Sequence, residues 1–186
     1  HMMRDRAIPA QPRTRGVIRL STKRLGSRSV IDQLYQAGSY KALFPRTGDM
    51  LQSIMVNTSG GITGGDRLRL DAEVAPDTVL SLTTQAAERA YRSRDGSDGD
   101  VSSRIRVAES GVLHWLPQEL ILYDGCALDR RLEIDLARSA RLLMVEPVIF
   151  GRVAMGETLR SGRFRDRIAI NRAGRPLYHD ALHLSG

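Results

Sequence analysis

The chain has 186 residues, with 28 Lys and Arg against 21 Asp and Glu, a single Cys, and 41% hydrophobic residues. That length suits one domain with a real hydrophobic core. No stretch approaches the roughly 18 consecutive apolar residues of a membrane helix, and the N-terminus lacks the apolar segment of a secretory signal. A single cysteine, Cys126, excludes an internal disulfide and a cysteine-rich zinc site. We therefore expect a cytoplasmic protein with no membrane partner.

The positive charge is concentrated near the N-terminus. Residues 1–28 hold eight of the 28 basic side chains but one of the 21 acidic ones, which leaves 20 of each in residues 29–186. With its Pro and Gly residues and the cloning remnant His1-Met2, the segment 1–28 is predicted to be a flexible basic arm before a single β-rich domain, 29–186. Nucleic-acid binding through this arm is the alternative function. It is disfavoured because the body is neutral and the arm has no aromatic residue for base stacking.

The predicted elements are mostly strands. Apolar and polar residues alternate over 68–74, 101–107 and 128–136, as half-buried strands require. Shorter runs of the same kind occupy 17–20, 54–56, 79–83, 112–116, 121–123, 142–145, 168–170 and 177–186. Residues 84–90 are predicted to form one or two helical turns, capped by Thr83 or Thr84. The expected fold is mainly β, a multi-stranded β-sheet scaffold with one or two short helices and no visible internal repeat.

A glycine-rich segment, residues 57–66, is the most unusual stretch of the sequence. Gly60, Gly61, Gly64 and Gly65 precede Asp66, and a strand follows. A phosphate-binding loop would need a helix at that point and a Lys-Ser/Thr pair, so nucleotide binding is disfavoured. Two interpretations stay open: a strand connection, or a backbone-lined site that includes Asp66.

Two further pairs of side chains are candidates for chemistry. His179 and His183 are spaced to share one face of a helix, where they could hold nickel or zinc. Glu146 and Glu157 flank the segment that contains Arg152. They are expected either to form structural ion pairs with Arg152, or to act as the acid/base pair of a β-fold enzyme. Trp115 and Cys126 are predicted to be buried core residues.

Four segments in this order resemble the UreD (UreH) family of urease accessory proteins. They are 59–61 with 64–66, 82–87 with 91–93, 115–119 with 123–125, and 150–152 with 155–157. The resemblance spans about 16–182 and implies a mostly β scaffold without catalytic activity. It also implies docking on the urease structural subunits, recruitment of a helical accessory protein and, through it, of a nickel-delivering GTPase. No tightly bound cofactor is implied, and nickel would bind transiently in a passage through the β framework.

A passage must release its cation, and oxygen ligands hold nickel more loosely than imidazole or thiolate. The candidates for nickel contact are therefore oxygen-bearing side chains, to which the two histidines are added: Asp66, Glu146, Glu157, His179 and His183. Further passage or interface candidates come from the same segments: Gly60, Gly61, Gly64, Gly65, Thr83, Thr84, Tyr91, Arg92 and Arg152. Relatives continue with further strands, so we expect this protein to lack C-terminal strands of the family.

Overall fold

The computed structural model describes residues 13–46 and 48–186, and this part of the protein is built almost entirely of strands. The elements in sequence order are β1 (Arg15–Leu25), β2 (Arg28–Gly38), β3 (Tyr40–Leu43), β4 (Leu51–Asn57), β5 (Arg67–Val74), β6 (Val79–Thr84), β7 (Glu88–Ala90), β8 (Gly99–Val107), β9 (Val112–Trp115), β10 (Leu120–Leu122), β11 (Cys126–Leu136), β12 (Arg141–Met144), β13 (Val148–Phe150), a 3-10 turn (Val153–Met155), β14 (Gly162–Arg172) and β15 (Arg175–Ser185). Each predicted alternating run falls within or overlaps a strand, so the mainly β prediction is confirmed.

The strands form three sheets. The first has seven strands in the order β15-β14-β11-β8-β5-β1-β2, the second has five in the order β12-β9-β6-β4-β3, and the third has three in the order β13-β10-β7. Pairing is parallel along β1, β5, β8, β11 and β14, along β4, β6, β9 and β12, and along β7, β10 and β13. Antiparallel hairpins lie at the margins, where β1 pairs with β2, β3 with β4, and β14 with β15.

Consecutive strands of the chain join the large sheet, the five-stranded sheet and the three-stranded sheet in turn, and this order repeats. The fold is therefore a parallel β-solenoid. Strands β5, β6 and β7 form one coil, β8, β9 and β10 the next, and β11, β12 and β13 the third. In the large sheet, Leu68, Val101, Arg130 and Asp166 occupy equivalent positions on consecutive coils. The repeat was not visible in the sequence because equivalent positions carry unrelated residue types and the connecting loops differ in length.

The inward side chains of all three sheets meet in one core along the solenoid. Leu80, Leu113, Leu122, Ile105 and Ile134 have no exposed surface. Trp115 and Cys126 are 5% and 1% exposed, which confirms their assignment to the core. Because burial of such side chains contributes about 1.5–3 kcal/mol each, this core holds the coils together. In the described residues, no helix has the length and apolarity that crossing a bilayer would require.

The helix predicted over 84–90 is wrong. Residues 88–90 form β7, whose three residues pair in parallel with Leu120–Leu122 of β10. Ahead of β7, the backbone N–H of Gln85 donates to the carbonyl oxygen of Met55. Sheet pairing of this kind overrides a helix propensity that amounts to only tenths of a kcal/mol per residue.

The flexible arm predicted for residues 1–28 is also wrong over much of its length. Strand β1 begins at Arg15, pairs with β2 and β5, and lies inside the seven-stranded sheet. Its Ile18 and Leu20 alternate inward and are 1% and 3% exposed, so the strand is part of the core. Residues 1–12, which carry the remaining part of the predicted arm, lie outside the described residues.

Candidate functional site

A small cavity with mostly apolar walls and a few polar side chains lies inside the solenoid, between the large sheet and the other two. Its volume of about 70 Å³ has room for a few water molecules. Polar side chains reach its wall from successive coils; they are Thr84 and Glu88, Ser103 and Gln118, and Arg130 and Glu146. Tyr40 and Arg131 also line the cavity, and the rest of its wall is apolar and includes Met55, Leu68 and Leu128. Polar side chains from three successive coils therefore lie together in an otherwise hydrophobic interior.

Arg130 is the most constrained member of this cavity. Its Nε and Nη2 atoms donate to the two carboxylate oxygens of Asp166 over 3.0 and 2.6 Å, and its Nη1 lies 3.2 Å from Oε2 of Glu146. The three side chains are only 11–13% exposed. The guanidinium also lies 5.6 Å from the centre of the Phe164 ring. Two carboxylates thus compensate one buried cation, with an aromatic ring beside it.

The two glutamates of the cavity hold protons more tightly than ordinary glutamates. Burial raises the pKa of Glu146, although the Arg130 charge and a hydrogen bond from Nε1 of Trp115 act in the opposite direction. Burial also raises the pKa of Glu88, which accepts weakly from Nδ2 of Asn57 over 3.4 Å. The pKa of Tyr40 is raised by burial first and then by the charges of these glutamates, so all three groups share one electrostatic environment.

Of the predicted nickel-contact and passage residues, Thr84 and Glu146 line the cavity. Thr84 lies inward beside Met55, and its hydroxyl accepts from the backbone N–H of Gln118 over 2.9 Å. Thr83 is next to it on β6 and so points to the opposite face of the sheet. Asp66 is buried but does not line the cavity. Its two carboxylate oxygens accept from the backbone N–H groups of Thr14 and Thr63, over 2.8 and 3.0 Å.

The glycine-rich segment is a strand connection that packs against the residues after β7. The backbone N–H of Ile62 donates to Arg89, and that of Tyr91 donates to Ile62, so Ile62 forms a parallel bridge with Ala90. Gly61 lies against the Tyr91 ring, where an added Cβ would be 2.2 Å from Cε2. Gly64 and Gly65 lie against Ser93, Ser97 and the Arg13 side chain. The glycines thus permit close backbone approach.

A second candidate site lies on the surface, where four parallel segments end at one edge. Ile62, β7, β10 and β13 are neighbours in register, because Ala90 pairs with Ile62 and Leu122, and Leu122 pairs with Phe150. The residues that follow them converge on an open basin of about 650 Å³. We call it the edge basin, and its lining comprises Thr63, Tyr91, Arg92, Arg94, Tyr123, Asp124, Arg152 and Glu157. Each of the four segments that carry the family resemblance contributes to it or leads into it.

The floor of the edge basin is aromatic and its sides are charged. The Tyr91 and Tyr123 rings meet edge to face with centroids 4.9 Å apart, and the Arg152 guanidinium lies 4.6 Å from the Tyr123 centroid. Arg152 pairs with Glu157, as predicted. A hydrogen bond from the backbone N–H of Asp124 is the main cause that lowers the pKa of Glu157, and Arg152 adds to it.

The acid/base pair considered for Glu146 and Glu157 is wrong. Glu146 lines the interior cavity beside Arg130, whereas Glu157 lines the edge basin beside Arg152. The two carboxyl groups therefore do not share a cleft, as a glycosidase pair must. The structural ion-pair interpretation is confirmed for both, with Arg130 rather than Arg152 as the partner of Glu146.

The helix-face histidine pair is also wrong. His179 and His183 lie on β15, where four residues of strand separate them by roughly 13 Å along the strand. Both side chains are exposed, and Nε2 of His179 is hydrogen-bonded to Asn171 over 3.1 Å. Among residues 13–46 and 48–186, no cluster of three or more His, Cys, Asp or Glu side chains is arranged to hold a metal ion.

Several polar residues of the cavity and its buried ion pairs were missed in the sequence, and two of them, Arg130 and Glu88, left a signal. Arg130 occupies an inward position of β11, where the alternation of 128–136 calls for an apolar residue. Glu88 occupies an inward position of β7, in register with Leu120 and Val148 of the neighbouring strands. Its assignment to a helix concealed this position. Nothing in the local sequence indicates that Asp166 would face Arg130.

Comparisons with known proteins agree on one family. The family model described as UreD urease accessory protein matches residues 14–186. A urease accessory protein UreD of Ruegeria pomeroyi is 53% identical over 168 residues, which is 90% of this chain and 65% of that protein. The UreD protein of Roseobacter denitrificans is 48% identical over 185 residues, 100% of this chain and 68% of its own length. That of Rhodopseudomonas palustris is 43% identical over 183 residues, 98% and 65% of the two proteins.

The chain spans about two thirds of the length of these relatives. Its similarity covers every strand of the solenoid and all four segments around the cavity and the edge basin. The chain therefore belongs to the UreD family of urease accessory proteins.

Proposed function

We propose that this protein is a non-catalytic scaffold in urease maturation. In this proposal it binds apo-urease in the cytoplasm, together with a helical accessory protein and a nickel-delivering GTPase, and helps nickel to reach the urease active site. The observation that carries the proposal is the family match over residues 14–186. Urease, the other accessory proteins and nickel remain proposed partners, since this chain spans only part of its relatives.

The interior cavity supports a part in nickel transfer. Its polar residues follow the solenoid from coil to coil, and apart from Arg130 and Arg131 they carry hydroxyl, amide and carboxylate groups. Such oxygens bind nickel loosely enough to release it. Thr84, Glu88 and Glu146 are the passage residues we propose, with nickel as cargo rather than as a resident ion.

The positive charge of Arg130 must be offset before nickel can pass through this cavity. Its charge would repel a divalent cation, but Asp166 and Glu146 hold the guanidinium against the wall of the cavity and offset that charge. Glu88, on the three-stranded sheet, adds a carboxylate that is not paired with Arg130.

Co-expression of this protein with urease subunits and the other accessory proteins tests the proposal. The purified urease is assayed for activity and for bound nickel. We expect nickel loading to depend on the protein and to fall in Glu88→Gln and Glu146→Gln, while the control Glu133→Gln on the exposed outer face remains at the wild-type level. Fully metallated urease formed without this protein, at ordinary nickel supply, would refute the maturation role. Normal loading by both cavity variants would refute only the passage.

A further inference from the structure

The edge basin combines features of a protein-docking surface with a specific charge preference. We propose that it binds a segment of a partner protein that presents a carboxylate beside an apolar side chain. The carboxylate would be that of an Asp, a Glu or the last residue of the partner. The basin is formed by the loops where four parallel segments end, and loops positioned by a rigid scaffold carry a disproportionate share of binding residues.

The charge argument rests on Arg94. Within the basin, Arg92 is paired with Asp124 over 3.2 Å and Arg152 with Glu157. Arg94 lines the same basin, is exposed, and has no ion-pair partner among the residues that the structure describes. One guanidinium is therefore available for a carboxylate, to which it can donate two parallel hydrogen bonds. The lining holds three arginines against Asp124 and Glu157, and the one positive charge left over suits a single carboxylate better than a polyphosphate backbone.

The apolar argument rests on the floor and rim. Tyr91 and Tyr123 provide the aromatic floor, and two apolar side chains on the segment that carries Arg152 are exposed: Phe150, at the end of β13, by 44% and Met155, in the 3-10 turn, by 75%. Tyr, Phe, Met and Arg are the residue types enriched in protein interfaces, and Tyr and Arg dominate their binding energy. The basin thus presents an aromatic and apolar surface around Arg94, the one arginine of its described lining without an ion pair.

The basin is also pre-organised, which reduces the entropy lost when a partner binds. The Tyr91 hydroxyl donates to the carbonyl oxygen of Gly60 over 3.3 Å, and its ring is held against Gly61. The Asp124 carboxylate accepts from the backbone N–H groups of Arg160 and Ser161, over 2.9 and 2.8 Å. These contacts fix the aromatic floor and the acidic side before any partner arrives.

The test uses the same co-expression system, because the inference rests on the proposed function for the identity of the partners. Tagged wild-type protein, Arg94→Glu and Arg94→Lys are compared for capture of urease subunits and accessory proteins, each with and without nuclease. The control is Arg69→Glu, which makes the same charge reversal on the exposed outer face of β5. We expect Arg94→Glu to reduce capture of one partner at least tenfold, Arg94→Lys to reduce it less, and the control to capture as much as wild type.

The outcomes separate the two proposals. Capture by Arg94→Glu at the wild-type level would overturn the docking surface and leave the maturation role standing. Equal losses in Arg94→Glu and Arg69→Glu would also overturn it, because a general charge effect would then explain the loss. Capture that nuclease abolishes would replace the protein partner with nucleic acid. If the wild-type protein binds none of these partners, both proposals fail together.

Discussion

Arg130 and Asp166 face each other on the adjacent parallel strands β11 and β14, joined by two hydrogen bonds of 3.0 and 2.6 Å. Their register partner on the preceding coil is Val101, so the pair lies at a position that is apolar elsewhere in the ladder. Glu146 completes the group from the segment that leads into the three-stranded sheet. The hydrogen bonds between Arg130 and Asp166 therefore connect the last full coil to the β14–β15 hairpin.

The first prediction concerns the stability of this group. Arg130→Met keeps most of the side-chain volume but leaves Glu146 and Asp166 without their cation, and we expect the free energy of unfolding to fall by about 3–5 kcal/mol. Arg104→Met is the control, since Arg104 is 53% exposed and pairs with Glu133 over 3.8 Å. Its loss should be at most about 1 kcal/mol. Urea denaturation measures the free energy of unfolding of both variants. Equal losses would mean that the buried Arg130 ion pairs stabilise the protein no more than an exposed ion pair does.

The second prediction concerns pH. Burial raises the pKa of Glu88, so between its unfolded value, 4.5, and its higher folded value the native state binds more protons than the unfolded state. Stability therefore falls as the pH rises through that window. Glu88→Gln removes the ionisation, so its stability relative to wild type should increase from pH 4 to pH 8. Urea denaturation at both values measures the difference.

Glu109 provides the opposite sign as a control. Hydrogen bonds from the Ser139 hydroxyl and backbone N–H lower its pKa, so its contribution is present above the unfolded value and is lost as the pH falls. Glu109→Gln should therefore be less stable than wild type at pH 8, with a difference that shrinks toward pH 4. A Glu88→Gln variant with the same pH profile as Glu109→Gln would contradict the desolvation of Glu88.

The strands could be predicted from the sequence because burial of one face leaves a local signal. Leu68, Leu70, Ala72 and Val74 alternate with charged residues, and all four point into the core. The solenoid could not be predicted, since parallel pairing between β5 and β8 depends on residues far apart in sequence. Antiparallel hairpins and parallel coils require the same alternation within each strand.

The candidate site was predictable only in part, and for a similar reason. Glu146 and Thr84 belong to recognisable segments, so they could be named without knowing the fold. Glu88 and Arg130 are site candidates only because their side chains face the cavity, and this depends on how β7 and β11 are placed in the fold. Asp66 could be singled out by its place after four glycines, but its hydrogen bonds to Thr14 and Thr63 became visible only in three dimensions.

The third prediction concerns the β14–β15 hairpin. Its two-residue turn consists of Ala173 and Gly174, with φ of 49° and 76°, in the left-handed region that a type I′ turn requires. Alanine is strained there, whereas Asn tolerates this conformation, so Ala173→Asn should stabilise the protein by about 1 kcal/mol. Thermal unfolding measures the gain. Ala181→Asn, on the exposed part of β15, is the control and should give no gain; stabilisation by both variants would point to a general surface effect.

The fourth prediction links the glycine-rich segment to the edge basin. Gly61 has φ of 156°, and a Cβ there would lie 2.2 Å from Cε2 of Tyr91, so Gly61→Ala must displace the ring. We expect a loss of about 1–3 kcal/mol from overpacking, with reduced partner capture. Gly60→Ala is the control, because its φ of 81° also strains an alanine but an added Cβ meets no atom within 4 Å.

The comparison of these two glycine variants separates backbone strain from ring displacement. Urea denaturation gives the stability of each, and the tagged co-expression assay gives its capture of partners. Gly60→Ala should lose stability through strain alone and retain capture, since the Tyr91 hydroxyl can still donate to the carbonyl oxygen of residue 60. If both variants retain capture despite the clash at Gly61, the Tyr91 ring moves aside without consequence, and the basin does not depend on a fixed aromatic floor.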